Sequence, residues 1–196
     1  MGVKSLRSAH AADTRRALVT AARRLFSQRG YTAVSLDEIC RRARVTKGAL
    51  YHHFHNKEYL FVAVLEEVEQ DFVRAGSAAV TSGSDLAETL LSAGGAFLGI
   101  CARPENRRIV IEAPAVLGWQ RCREVEGAHA LGLLRAALEE AVAQGQLDCD
   151  APAVLAQLLV ALFNEAGMIV AAAAEPEAAT RQTSRELERV LSGLRR

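Results

Sequence analysis

The chain lacks most of what enzymes and secreted proteins rely on. Only 5% of its 196 residues are aromatic, and it holds one tryptophan, four prolines and four cysteines. Cys40, Cys101, Cys122 and Cys149 show no C-x-x-C spacing, which argues against a zinc ribbon or a dithiol motif and fits a reducing, cytoplasmic compartment. There is no G-x-S-x-G, P-loop, H-E-x-x-H or Gly-rich phosphate turn, and no Ser–His–acid grouping, so no catalytic role and no cofactor are expected. Residues 1–16 contain no apolar run of signal-peptide length, and Leu6 stands where a myristoylation signal needs Ser or Thr. No internal repeat or low-complexity tract is present.

Half of the residues are hydrophobic, which is the composition of a globular chain. The net charge of +1 conceals an asymmetry. Residues 1–57 hold twelve Lys and Arg against Asp13, Asp37 and Glu38, a net +9, and the remainder holds twelve against twenty, a net −8. The N-terminal segment is therefore the end suited to a polyanion. A helical interaction module without DNA binding, the alternative reading, has no need of that basic segment.

The charge coincides with a pattern of short helices. Ser35 and Glu38 form a capping box that starts a helix with Leu36, Ile39, Cys40 and Ala43 on one face. Arg44 and Val45 make a turn, and Thr46 caps a helix from Lys47 to about His53. So short a helix must pack on a neighbour. Leu50 and Phe54 point inward at i, i+4, leaving Lys47, Tyr51 and His52 or His53 outward, an arrangement that suits the major groove of DNA.

The run TKGALYHHFHNKEYL at residues 46–60 is similar to the helix-turn-helix signature of the tetracycline-repressor (TetR/AcrR) family of bacterial transcription regulators. The resemblance covers Thr14 to Leu60 by motif and the rest of the chain by helix order and length. It implies a dimeric, all-helical repressor of a palindromic double-stranded operator, with a C-terminal domain that binds a small-molecule effector. It also assigns His53 to the DNA phosphates. Arg44 departs from the glycine usual in the family; if that turn needs φ > 0, Arg costs roughly 1 kcal/mol there.

The expected fold is all-α with about nine helices. Residues 1–57 form a DNA-binding three-helix domain, and residues 58–196 form a helical ligand-binding and dimerisation domain. A first helix runs from Asp13 or Thr14 to about Gln28 with Leu18, Ala22, Leu25 and Phe26 inward, and Gly30 ends it. Residues before Asp13 read as loosely ordered, with Lys4 and Arg7 able to reach DNA. Helices follow over 57–79, 86–101, 104–113, 120–144 and 153–173, with a last one after Pro176; Pro114 kinks or ends the third of these. The helix after Pro152 is long enough to span a membrane, but Gln157, Asn164 and Glu165 lie within it, and a buried helix is expected instead.

The DNA-contacting candidates are Ser35, Arg44, Thr46, Lys47, Gly48, Tyr51, His52, His53 and Lys57. Lys47 suits either guanine O6 and N7 or a phosphate, and Tyr51 a phosphate or a thymine methyl. His52 is a base reader or merely exposed; Gly48 lets the backbone approach closely, and Lys57 opposes the helix dipole, as a phosphate contact would explain. His52, His53 and His55 lack a completing Cys or carboxylate, so no metal is expected. Phe97, Cys101, Glu112, Trp119, Cys122, His129, Phe163 and Asn164 stand out in aliphatic helices, as pocket lining or as ordinary core. Glu112 and Glu165 face a cationic ligand or pair with Arg107, Arg108 or Arg121. Leu158, Leu162, Leu187, Val190, Leu191 and Leu194 lie on the wide apolar faces of the last two helices. With the resemblance, those faces imply a four-helix bundle across a two-fold axis.

Overall fold

Capping fixes where the early helices begin. In the computed structural model, which describes residues 3–79, 85–126 and 130–193, the Ser35 hydroxyl accepts the Glu38 N–H at 3.2 Å. The Thr46 hydroxyl accepts that of Ala49 at 3.2 Å, Asn56 Oδ1 that of Tyr59 at 3.0 Å, and the Asp85 carboxylate that of Glu88 at 2.8 Å. Each satisfies an N–H that the first helical turn leaves without a partner. The helices are α1 (Val3–Arg29), α2 (Leu36–Ala43), α3 (Lys47–His53), α4 (Lys57–Ala79), α5 (Leu86–Cys101), α6 (Pro104–Leu117), α7 (Trp119–Glu126), α8 (Gly132–Ala143), α9 (Pro152–Ala172) and α10 (Pro176–Ser192). No strand occurs among the described residues.

Three local expectations are corrected. α1 starts at Val3 rather than near Asp13. Ala9, Ala11 and Ala12 carry the helix through, and Asp13 pairs with Arg16 one turn on instead of capping. Glu38 does not complete the capping box, because its carboxylate pairs with Arg29. Pro114 does not end α6, which runs on to Leu117 until Gly118 adopts φ +78°. The expected helix over 120–144 is seen as α7 to Glu126 and as α8 from Gly132, entered through a π turn at Ala130 and Leu131, while residues 127–129 lie outside the described residues. The described helices number ten, in keeping with the nine or so expected.

The stripe Leu18, Ala22, Leu25 and Phe26 is buried as its spacing requires. It meets Val34, Ile39, Leu50, Phe54 and the start of α4 in one core. Phe26, Tyr31 and Phe61 stack edge-on or tilted, with centroids 5.2–5.7 Å apart. A second core joins α5, α8, α9 and α10 through Leu90, Leu138, Leu159 and Leu191. α9 is the one described helix long and apolar enough to cross a membrane, and it packs against α5, α6, α8 and α10. The approach of α5 to α9 depends on two glycines. A Cβ on Gly94 would lie 2.5 Å from Phe163 Cε1, and one on Gly167 would lie 2.7 Å from Phe97 Cε1. Gly95 and Gly99 have open space.

α6 lies between α1 and α9. Arg108 Nη1 donates to the Gln28 carbonyl at 2.7 Å, and Glu112 Oε2 accepts the Tyr31 N–H at 2.7 Å. Gly30 between them has φ +82°, and a Cβ there would sit 2.6 Å from Glu112 Oε1, so conformation and space both demand glycine. Arg23 of α1 reaches Asp71 of α4 and, at 2.9 Å, Oδ1 of the buried Asn106, whose Nδ2 donates to the Ile100 carbonyl at 3.1 Å. On the other side Arg107 Nε donates to the Ala171 carbonyl at 2.8 Å and holds the end of α9.

Arg44 adopts φ +57°, ψ +41°, the left-handed turn in which glycine is favoured. Arg44→Gly is expected to raise the unfolding free energy by roughly 1 kcal/mol in urea titrations. Glu112→Ala leaves the Tyr31 N–H without its acceptor. It is expected to lower stability by about 1–3 kcal/mol in the same measurement.

Candidate nucleic-acid interface and ligand cavity

α3 is anchored by Leu50 at 0% exposure and Phe54 at 4%, so its orientation is set by α1 and α2. Its other face presents Lys47, Gly48, Tyr51 and His52, with Tyr51 53% exposed. Nothing lies within 4 Å of a Cβ built on Gly48, so the backbone there is open to a close partner. Arg44 and Thr46 are exposed at the adjoining turn, and Arg41 and Arg42 in the last turn of α2 and Ser35 at its N-cap are exposed as well. Lys47 Nζ lies 2.8 Å from Asp37 Oδ1. That hydrogen bond, and the carboxylate charge behind it, hold the ammonium above its ordinary pKa. The pair is exposed and hence weak, so a phosphate or base edge can replace Asp37.

His53 is partly buried, and its pKa is lowered first by burial and then by His52 and Arg15, favouring the neutral imidazole. Lys57 departs from the outward position expected of it. Its Nζ lies 4.2 Å from the Tyr31 ring centroid and burial lowers its pKa, so the ring gives the cation a place within the fold. Arg23 and Arg29 are also engaged internally, with Asp71 and Glu38. The exposed basic face of the first segment is thus narrower than its net charge suggests and centres on α2, the turn and α3.

A cavity of about 560 Å³ opens among α4, α5, α6, α7 and α9, and a second lobe of about 290 Å³ continues from it between α4, α5, α8 and α9. Among the sequence candidates, Phe97, Trp119, Cys122 and Asn164 line the larger lobe, and Phe97, Phe163 and Asn164 line the smaller. Cys101 does not line either; it is fully buried in the α5–α9 contact, and burial raises its thiol pKa. Glu112 belongs to the α1 junction rather than to the cavity, and pairs with none of Arg107, Arg108 and Arg121. Glu165 is exposed on the larger lobe. His129 lies outside the described residues.

Sequence reasoning missed Glu69, which is 7% exposed and lines both lobes. Its signal was available: Leu65, Glu69 and Phe72 fall at i, i+4, i+7, which places a carboxylate on an apolar stripe. Cys40 resembles Cys101 in that burial pushes its thiol up, away from the low-pKa state of a redox sensor.

The apolar faces of α9 and α10 divide in two. Leu187 and Leu191, expected at a subunit interface, are 5% and 0% exposed in the chain's own core. Leu162 is partly buried against both clusters. Leu158 and Val190 face outward at 62% and 57%, with Val154 and Ile169 exposed on α9 as well. Leu194 lies outside the described residues.

Residues 87–194 match a family model described as the tetracyclin repressor-like C-terminal domain, and residues 18–64 match that of the bacterial regulatory proteins of the tetR family. The transposon Tn10 TetC protein of Escherichia coli is 31% identical over 154 residues, 77% of each chain. The A-factor receptor protein of Streptomyces griseus is 46% identical over 61 residues, 31% of this chain and 22% of that protein. The crystal structure of a TetR-family transcriptional regulator from Pectobacterium atrosepticum superposes with a TM-score of 0.80 at 31% identity, covering 95% of this chain and 96% of that one. By these matches over both its halves, the chain belongs to the tetR family of bacterial regulatory proteins and is a DNA-binding regulator of transcription.

Proposed function

We propose that the chain is a cytoplasmic repressor that binds a palindromic operator as a homodimer and leaves it when a small molecule enters the cavity. Residues 1–57 serve as the reading head and residues 58–196 as the ligand-binding and dimerisation part. The observation that carries this reading is α3, pinned by Leu50 and Phe54 while Lys47, Gly48, Tyr51 and His52 face solvent. In the major groove, Lys47 exchanges Asp37 for guanine or phosphate, Gly48 brings the backbone near, and Tyr51 and His53 bond phosphates. Ser35, Thr46 and Arg44 flank the backbone on either side of the turn. Lys57 reaches a phosphate only by leaving the Tyr31 ring. No catalytic step is assigned.

The second subunit is placed on the outward face of α9 and α10. Val154, Leu158, Ile169 and Val190 are exposed large apolar side chains there, and a second copy covers them at little polar cost. Control follows from the two-sided position of α6. Its Val110, Ala113 and Pro114 line the larger lobe, while Arg108 and Glu112, on the opposite side, hold the end of α1. A ligand that binds the two head spacings differently moves the equilibrium between them; one that binds both equally does not.

Selection from fragmented genomic DNA, followed by titration against salt, tests the reading. A short palindrome bound with roughly nanomolar affinity and a steep salt slope is expected, and weak sequence-blind binding would count against it. Lys47→Ala and Tyr51→Ala are each expected to weaken operator binding by roughly tenfold to a hundredfold with helicity unchanged, as read by fluorescence anisotropy and circular dichroism. Leu158→Glu combined with Val190→Glu should halve the sedimentation mass while the protomer stays folded. Retention of the dimer mass would move the interface elsewhere.

A further inference from the structure

We infer that the cavity receives an apolar amine, held as its ammonium by the Glu69 carboxylate where the two lobes meet. This inference rests on the reading of the cavity as the effector site. Glu69 is one of only two buried polar or charged side chains among the described residues, and it lines both lobes. Among the described residues, the lining of the smaller lobe contains no other charged side chain. The larger lobe adds Glu165 and Arg123, both exposed toward solvent. The charged residue that both lobes share is therefore an acidic one, Glu69.

Three physical consequences select the ligand class. An anionic ligand would be brought against a carboxylate in a medium where like charges repel far more strongly than in water. A neutral ligand would forgo the stronger charge-assisted bond. An ammonium gains that bond, because a carboxylate has about four acceptor sites and can receive a ligand N–H alongside any bond it makes within the protein. Phe72 and Phe97 line both lobes beside Glu69, with centroids 4.5 Å apart in an edge-on pair. Aromatic rings accept the rest of an apolar cation, and their faces attract its charge. Lobes of about 560 and 290 Å³ are of the order that drug-sized molecules fill.

The test is a charge series on one scaffold: phenylbutylamine, phenylbutanol and phenylbutanoate, titrated into the full-length protein at neutral pH. Trp119, the only tryptophan in the chain, lines the larger lobe and reports occupancy by fluorescence, with calorimetry as a second measure. The amine is expected to bind roughly tenfold or more tighter than the alcohol, with the carboxylate weakest. Glu69→Gln should abolish the preference for the amine while leaving the affinity for the alcohol and the helical content in place. The inference is overturned if the alcohol or the carboxylate binds as tightly as the amine, or if none of the three binds. It is overturned equally if Glu165→Gln, rather than Glu69→Gln, removes the preference. The wild-type series stands without any variant, so a misfolded Glu69→Gln protein would not rescue a failed prediction. Operator binding by the ligand-free protein, measured on the same preparation, tests the regulator reading separately.

Discussion

The structure depends on how the end of α1 is held. α1 carries the core stripe on which α2 and α3 pack, so the direction of α1 sets the direction of α3. Its C-terminal turn is gripped from α6 at two points, Arg108 on the Gln28 carbonyl and Glu112 on the Tyr31 N–H. Both are charge-assisted bonds to backbone groups, which makes them stronger and more directional than an apolar contact of similar size. Gly30 is what lets the loop pass so close to the Glu112 carboxylate. Without that fixed end, α1 would be held to the later helices by apolar packing, the Arg23 bonds and the Arg15–Glu66 pair.

α4 and α6 are two-faced in the same sense. On α6, Arg108 and Glu112 face α1, while Val110, Ala113 and Pro114 line the cavity. On α4, Asp71 and Glu67 receive Arg23 of α1, at 3.8 Å in the case of Glu67, while Leu65, Glu69 and Phe72 line the cavity. Each helix therefore has one side that lines the cavity and another that bears on α1. Because a helix moves as a rigid unit and interiors are close-packed, a displacement on one side must be taken up on the other.

The bounds and inner face of α3 were legible in the sequence because their determinants are local. Ser35, Thr46, Asn56, Gly30 and the spacing of Leu50 and Phe54 act within one or two turns, and even the strained turn at Arg44 could be anticipated. The cavity and the interface were less so, because their determinants are distant in the chain. Glu112 finds its partner 81 residues away, and nothing around it says that the partner is a backbone N–H rather than an arginine. The stripe Leu187, Val190 and Leu191 reads the same whether it meets its own chain or another. Only the fold puts Leu187 and Leu191 inside and Val190 outside. Pro114 read as a kink or an end of the helix because loss of one hydrogen bond weighs heavily in isolation, yet α6, packed on α1 and α9, continues past it to Leu117.

The acidic stretch Glu66-Glu67-Val68-Glu69-Gln70-Asp71 shows how far residue type alone can take such a reading. As sequence it is a charge run, the usual mark of a solvated helix face. In the fold its carboxylates go three ways: Glu66 to Arg15 at 3.6 Å, Glu67 and Asp71 to Arg23, and Glu69 into the wall between two apolar lobes. The helical repeat enforces the separation, since residues two apart lie on nearly opposite sides while residues four apart share one. Glu67 and Asp71 therefore point together toward α1, and Glu69 between them in sequence must point away. Glu69 thus lies on the same turn of α4 whose other side is pinned to Arg23, so the carboxylate at the cavity wall and the hold on α1 are set within a single turn and a half of helix.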